Sequence, residues 1–328
     1  MRWRHTLALQ TWAEALRDPV LQKRAHARYL ETLDHIGELA GRWRDEGYIP
    51  PNADTNAVAA TLFSLMRDRC RRRRPLHIAG HTTAGSPTMT DIDLSNLAAD
   101  RDGSRPLRGY LASPAGTGPW PAVVMIHEIF GLDDVMRGHA DRLAGLGYLT
   151  LAVDLFSAGS TARCLVATMT AMIRGHGRAF ADICAARDYL AGSRDCTGKI
   201  GVIGFCMGGG FALLSAGGGY DAAAVNYGQL PRHLDETLAG ACPIVASYGG
   251  RDPSLRGAAS RLDAALDKAG VTHDVKEYPA ASHAFLNDTE TGPRALRPLL
   301  RVAGIGPEPD SAKDAWDRIE LFFATHLN

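Results

Sequence analysis

The sequence has no surplus of charge. Its 36 Lys and Arg are balanced by 36 Asp and Glu, so no global field draws the chain to nucleic acid or an anionic membrane. Paired cysteines are missing as well. Cys70, Cys164, Cys184, Cys196, Cys206 and Cys242 show no CxxC spacing, which argues against a zinc site or a disulfide framework and fits a reducing cytoplasm. The start, Met1-Arg2-Trp3-Arg4-His5, leads into no apolar h-region, and charges recur by Glu14 and Arg17. Neither a secretory signal nor a transmembrane span is expected. Internal repeats are lacking too. What remains is an ordinary globular composition, 45% hydrophobic and 22% charged over 328 residues. That length suits one α/β domain plus an appendage.

One run stands out: Lys199-Ile200-Gly201-Val202-Ile203-Gly204-Phe205-Cys206-Met207-Gly208-Gly209-Gly210. It reads as a short apolar strand, a glycine-flanked turn and the start of a helix. It is not a phosphate loop. Gly201 and Gly204 precede the turn, which does not fit Gly-x-Gly-x-x-Gly, and no Gly-Lys-Ser/Thr follows. Cys206 sits at the apex of Gly-x-Cys-x-Gly, the nucleophile elbow of an α/β-hydrolase with cysteine in place of serine. The strained turn explains the glycines, since side chains at positions 204 and 208 would collide with neighbouring backbone. The helix N-terminus behind the thiol favours a thiolate. The bland alternative is a small buried cysteine in a Gly-rich turn.

An elbow nucleophile needs an acid and then a histidine later in the chain. Cys242 to Tyr248 reads as a buried parallel strand, and Asp252 lies just past its end. A helix from Arg256 to Ala269 and a strand from Asp274 to Tyr278 follow, then a loop carrying His283. In that arrangement His283 would deprotonate the thiol and later protonate the leaving group, with Asp252 fixing its tautomer. Taken alone, Asp252 could be a cap and His283 a surface loop residue. Upstream, the strand Pro121 to Ile126 runs into His127-Glu128-Ile129-Phe130-Gly131. The loop after that strand and the residue after the nucleophile supply the oxyanion hole in this fold, which assigns the backbone N–H donors to Ile129 and Met207. Glu128 is a carboxylate beside the nucleophile, or else a charge at the start of a helix beginning near Leu132. His127 reads as a packed, hydrogen-bonded residue.

The set His-Glu-Ile-Phe-Gly, Gly-Phe-Cys-Met-Gly-Gly, Asp252 and Ser-His-Ala-Phe resembles the dienelactone hydrolase family (carboxymethylenebutenolidase-like proteins), over about Asp91 to the C-terminus. The resemblance implies hydrolysis of a lactone or ester by a Cys-His-Asp triad. It also implies that Glu128 holds the resting Cys206 thiol and accepts its proton when substrate binds. Members that cleave dienelactone clamp its carboxylate with two arginines. The corresponding positions here are Ala158 and Asn287, and arginine is the residue suited to bidentate carboxylate recognition. A neutral or differently anchored ester, lactone or thioester is therefore as fitting a substrate as dienelactone. Phe156, Arg163, Phe285 and Asn287 are the expected pocket residues, with Arg163 reaching in from the following loop.

The whole is expected to be an α/β-hydrolase fold, a mostly parallel sheet with helices on both faces, carrying an N-terminal all-helical appendage. The boundaries are 1–70 for the appendage, 71–90 for a linker and 91–328 for the hydrolase. Gln10 to Pro19 and Gly47 to Pro50 resemble the C-terminal ligand-binding half of TetR-type regulators. No helix-turn-helix precedes them, and DNA binding is not expected. The appendage could pack on the hydrolase or make a homodimer. It could also be fused or misassigned upstream sequence, since Met89 is a plausible start. The linker run Arg71-Arg72-Arg73-Arg74 lacks interleaved aromatics and reads as solvated rather than nucleic-acid binding. No metal or organic cofactor is implied, and a small-molecule ester or lactone is the partner. Two other functions stay open: a thioesterase or general carboxylesterase with the same residues, and a non-catalytic small-molecule sensor.

Overall fold

The computed structural model describes residues 37–38, 41–42, 44–45, 87–292 and 305–328. The chain divides into two compact units, Met1–Arg71 and Arg72–Asn328. In the first unit the six described residues are all helical, and Arg44 and Asp45 form an exposed ion pair. The rest of the expected appendage, its regulator-like segments, its proposed dimer contacts and the Arg71–Arg74 run lie outside the described residues.

The second unit is built on an eight-stranded sheet. Its strands are β1 (Thr88–Asp93), β2 (Arg108–Ser113), β3 (Trp120–Ile126), β4 (Leu149–Asp154), β5 (Cys196–Phe205), β6 (Ala222–Asn226), β7 (Ile244–Gly249) and β8 (His273–Tyr278). The order is β1-β2-β4-β3-β5-β6-β7-β8. β2 runs antiparallel to both β1 and β4, and every other pair is parallel. Central strands read as unbroken apolar runs because both sides of a covered parallel sheet are buried. Accordingly Val123, Val124, Met125, Ile126, Val202, Ile203, Ile244 and Ala246 are all sealed from solvent.

The helices are α1 (Ser95–Ala99), α2 (Asp134–Gly145), α3 (Thr161–Arg174), α4 (Arg178–Ala191), α5 (Met207–Ser215), α6 (Leu234–Leu238), α7 (Ala258–Ala269) and α8 (Pro309–Leu327). α2 and α8 meet through His139 and Arg142 against the Trp316 ring. α4 and α5 meet through Phe180 and Phe211. α2 begins after Asp133, whose carboxylate accepts the Met136 N–H, so Asp133 rather than Glu128 supplies the helix-start charge that was the alternative reading of Glu128. The hydrolase unit also reaches further back than residue 91, because β1 begins at Thr88 and pairs along its length with β2.

Three elements escape the periodicity of the sequence. β6 is Ala222-Ala223-Ala224-Val225-Asn226, built from helix-favouring alanine, yet every residue of it is buried. It is a strand because β5 and β7 pair with it on both sides, a tertiary demand that overrides weak intrinsic preference. β1 and β2 lie outside the parallel run and carry mixed exposure.

Candidate functional site

β5 ends at Phe205 and α5 begins at Met207, so Cys206 alone makes the turn. Its φ of 55° and ψ of −116° lie where a side chain is strained. The crowding around it dictates the glycines. A Cβ at Gly204 would sit 1.9 Å from the Gly208 carbonyl oxygen, and one at Gly208 would sit 2.1 Å from that of Ile126. No side chain fits at either place. The Cys206 N–H donates to the Asn226 carbonyl at 3.0 Å, which ties the elbow to β6.

Asp252 and His283 converge on this turn from the ends of β7 and β8. The two Asp252 oxygens have separate tasks. Oδ1 accepts the Ser254 N–H at 2.9 Å and its hydroxyl at 2.6 Å, capping a single 3₁₀ turn over Pro253–Leu255. Oδ2 faces His283 Nδ1 at 2.5 Å. Burial opposes ionisation of Asp252, but the bonds and charge of His283 and the bonds from Ser254 hold its carboxyl below the usual range. Cys206 also acts on the His283 ring. With Nδ1 committed to Asp252, Nε2 is the nitrogen left to face it. Burial would lower the His283 pKa, yet the Cys206 sulfur and Asp252 outweigh it and hold the imidazolium well above its ordinary range. Ala284, next in the chain, has φ 62°, so the backbone around His283 is also held in a costly conformation.

His127 is completely buried. The Leu155 N–H donates to its Nε2 at 3.1 Å, so Nδ1 carries the proton and donates to the Glu128 carbonyl at 2.7 Å. This clamps the loop that carries Ile129. Among the described residues, neither the Ile129 nor the Met207 N–H has an acceptor within the protein. Unpaired N–H groups are expected at a helix N-terminus such as that of α5.

Glu128 is buried, 2% exposed. Tyr227 Oη donates to Oε1 at 3.3 Å, Asn287 Nδ2 to Oε1 at 3.1 Å, and Thr291 Oγ1 to Oε2 at 3.2 Å. Desolvation raises its pKa, against the lowering effects of His283, Asn287 and Thr291. Among the described residues, the hydrogen bonds of Glu128 come from these three side chains.

Tyr227 and Thr291 are the donors to Glu128 that sequence reasoning missed. Tyr227 follows β6, has φ 39°, is buried, and donates its hydroxyl to Glu128. Its ring lies 5.2 Å from that of His283. The available signal was its position just past a strand, but that strand is the alanine-rich one.

The expected pocket residues divide. Phe156 is 6% exposed and packs edge-on against His127. Phe285 is fully buried behind Tyr227 and Tyr278. Asn287 is 1% exposed, with its amide spanning Glu128 and His139. Arg163 is exposed on the first turn of α3. Among the described residues, the group with metal-ligand spacing is Asp263, Asp267 and His273. It belongs to α7 and the first residue of β8, whereas His283 follows the last.

Comparison with known proteins agrees with this architecture. The sequence model of the "Dienelactone hydrolase family" matches residues 107–327. Two relatives share the name "Putative carboxymethylenebutenolidase". The one from Saccharolobus solfataricus is 28% identical over 261 residues, covering 68% of this chain and 95% of its own. The one from Methylorubrum extorquens is 30% identical over 233 residues, covering 65% and 75%. A crystal structure of a "Putative Dienelactone Hydrolase" from Klebsiella pneumoniae superposes with TM-score 0.58 at 25% identity, over 73% of this chain and 99% of that one.

Proposed function

The chain belongs to the dienelactone hydrolase family and is an ester or lactone hydrolase, and from that premise we propose that it works by acyl transfer through Cys206, His283 and Asp252. The observation that carries this reading is the Asp252–His283 pair at 2.5 Å, delivered by neighbouring strand ends, together with a cysteine on a strained elbow.

In the resting state that the family resemblance implies, Cys206 is a thiol, and Asp252 keeps a proton on His283. When substrate arrives the thiol proton passes to Glu128, whose buried carboxylate is more basic than usual. The thiolate attacks the carbonyl carbon, and the N–H groups of Ile129 and Met207 receive the oxyanion. Collapse of the tetrahedral adduct breaks the carbon–oxygen bond, and the leaving alkoxide takes the His283 proton. A water then attacks the thioester, giving its proton to His283. The carboxylic acid product leaves, and Glu128 returns its proton to the departing thiolate. Asp252 holds Nδ1–H throughout, so Nε2 faces the reaction.

The substrate is a small neutral or differently anchored ester or lactone, because Ala158 and Asn287 stand where the two carboxylate-clamping arginines would. A thioester would be cleaved by the same steps. An intact Glu128, Cys206, Asp252 and His283 set speaks against a non-catalytic sensor. The reading places the chain in a reducing compartment, in keeping with the free Cys164, Cys184, Cys196, Cys206 and Cys242. Among the described residues no helix is long and apolar enough to cross a membrane.

The test is hydrolysis of p-nitrophenyl acetate, an enol-lactone and an acyl thioester by the native chain and by Cys206→Ala. Turnover is expected to vanish in the variant, and the panel then ranks the substrates. Activity that survives in Cys206→Ala overturns the nucleophile.

A further inference from the structure

Behind Glu128 lies a buried histidine that the reaction above does not use. His139 is on α2, fully enclosed, and stacked on Phe205, the residue before Cys206, at 4.7 Å. Trp316 of α8 tilts against it at 5.2 Å and also meets Phe205, so the three rings form one cluster. Its Nε2 meets Asn287 Oδ1 at 2.9 Å, and its Nδ1 has no hydrogen-bond partner. As a packing residue this is a poor choice. An apolar side chain would fill the slot without stranding a polar atom, which costs about 1–3 kcal/mol. The histidine is therefore kept for what Nε2 does.

Asn287 Nδ2 donates to Glu128, and a carboxylate only accepts. The amide must therefore turn its oxygen toward His139, and His139 must answer with a donor. We propose that His139 is a positioning residue: its Nε2–H pins the Asn287 amide so that the amide N–H stays on Glu128. This inference rests on the proposed role of Glu128 as acceptor of the thiol proton. Burial keeps the ring neutral, so that a single proton sits on Nε2. The charges facing His139 are Asp288 and Arg142. Those facing Glu128 are His283 and Asp133, with Tyr227, Asn287 and Thr291 as its hydrogen-bond donors.

The sign of the effect follows. A donor to a carboxylate favours its ionised form. Without His139 the amide is free to turn, Glu128 loses a donor, and its affinity for a proton rises. Activity that needs the carboxylate is then lost earlier on acidification.

The experiment is kcat/KM against pH on p-nitrophenyl acetate for the native chain, His139→Met, His139→Gln, Asn287→Leu and Glu128→Gln. The acid limb is expected to move up by about one pH unit in His139→Met and in Asn287→Leu. It should return in His139→Gln, whose amide N–H can take the place of Nε2–H, and the alkaline limb should stay in place. An acid limb unmoved in a folded His139→Met overturns the inference. The Glu128→Gln arm separates the two levels. If it abolishes the limb and His139→Met leaves it alone, only the His139 inference fails. If Glu128→Gln itself leaves the limb intact, the role of Glu128 fails and the inference falls with it. Should His139→Met not fold, ring ¹⁵N spectra of the native chain decide. A neutral His139 with its proton on Nε2 at the assay pH is expected, and a Nδ1–H or protonated ring is the contrary result.

Discussion

In the proposed reaction Asp252 serves structure and chemistry together. One oxygen caps a turn and the other orients an imidazole. Asp252→Asn keeps the cap, since an amide oxygen still accepts from Ser254, but removes the charge facing His283. The Asp252 charge and bond help raise the His283 pKa, so their loss lowers it. The imidazolium proposed to protonate the leaving alkoxide then survives only to a lower pH, and the alkaline limb of kcat/KM is expected to shift downward. The rate itself should fall on the order of 10³–10⁴-fold, as for loss of the orienting acid in other triads. A pH–rate profile measures both. An alkaline limb that stays where it was would remove Asp252 from the proposed reaction.

At the scale of elements, the site depends on strand ends held in register. β7 and β8 deliver Asp252 and His283, and one arginine of α8 fastens them. Arg318 donates to the Asp274 carboxylate at 2.9 Å and its carbonyl at 2.8 Å, to Tyr278 Oη at 3.0 Å, to Ser247 Oγ at 3.3 Å and to the Ala246 carbonyl at 3.4 Å. Arg318→Met keeps the aliphatic stem and leaves these acceptors without their donor. The expected cost is about 2 kcal/mol, or a Tm lower by about 4–8 °C. Calorimetry or thermal circular dichroism reads it, and an unchanged Tm would mean that helix packing alone secures these strands. The elbow is a sharper case, because Gly204 and Gly208 touch backbone that has nowhere to go.

For the whole molecule, the unit Arg72–Asn328 holds all eight strands and the entire candidate site. A fragment of residues 87–328 is therefore expected to be folded and to hydrolyse the ester panel with the kcat/KM of the full chain. Circular dichroism and the same assay check it. A folded but inactive fragment would make the first 86 residues part of the enzyme.

The elbow, the acid, the histidine and the Glu128 loop were legible in the sequence because each rests on local rules. A strained turn demands glycine, and a covered parallel strand is an unbroken apolar run. Each chemistry-bearing residue follows such a run at its carboxyl end. β6, Tyr227 and the inner placement of Phe285 and Asn287 were not legible. β6 is a strand only because its neighbours pair with it, and Tyr227 inherits its place from that pairing. Asn287 sits where a clamping residue was expected, yet its amide is turned inward by Glu128 on one side and His139, 148 residues away in the chain, on the other. Which donors Glu128 meets, and which carboxylate His283 meets, are decided by side chains brought together across the sheet. No spacing along the sequence encodes distances of that kind.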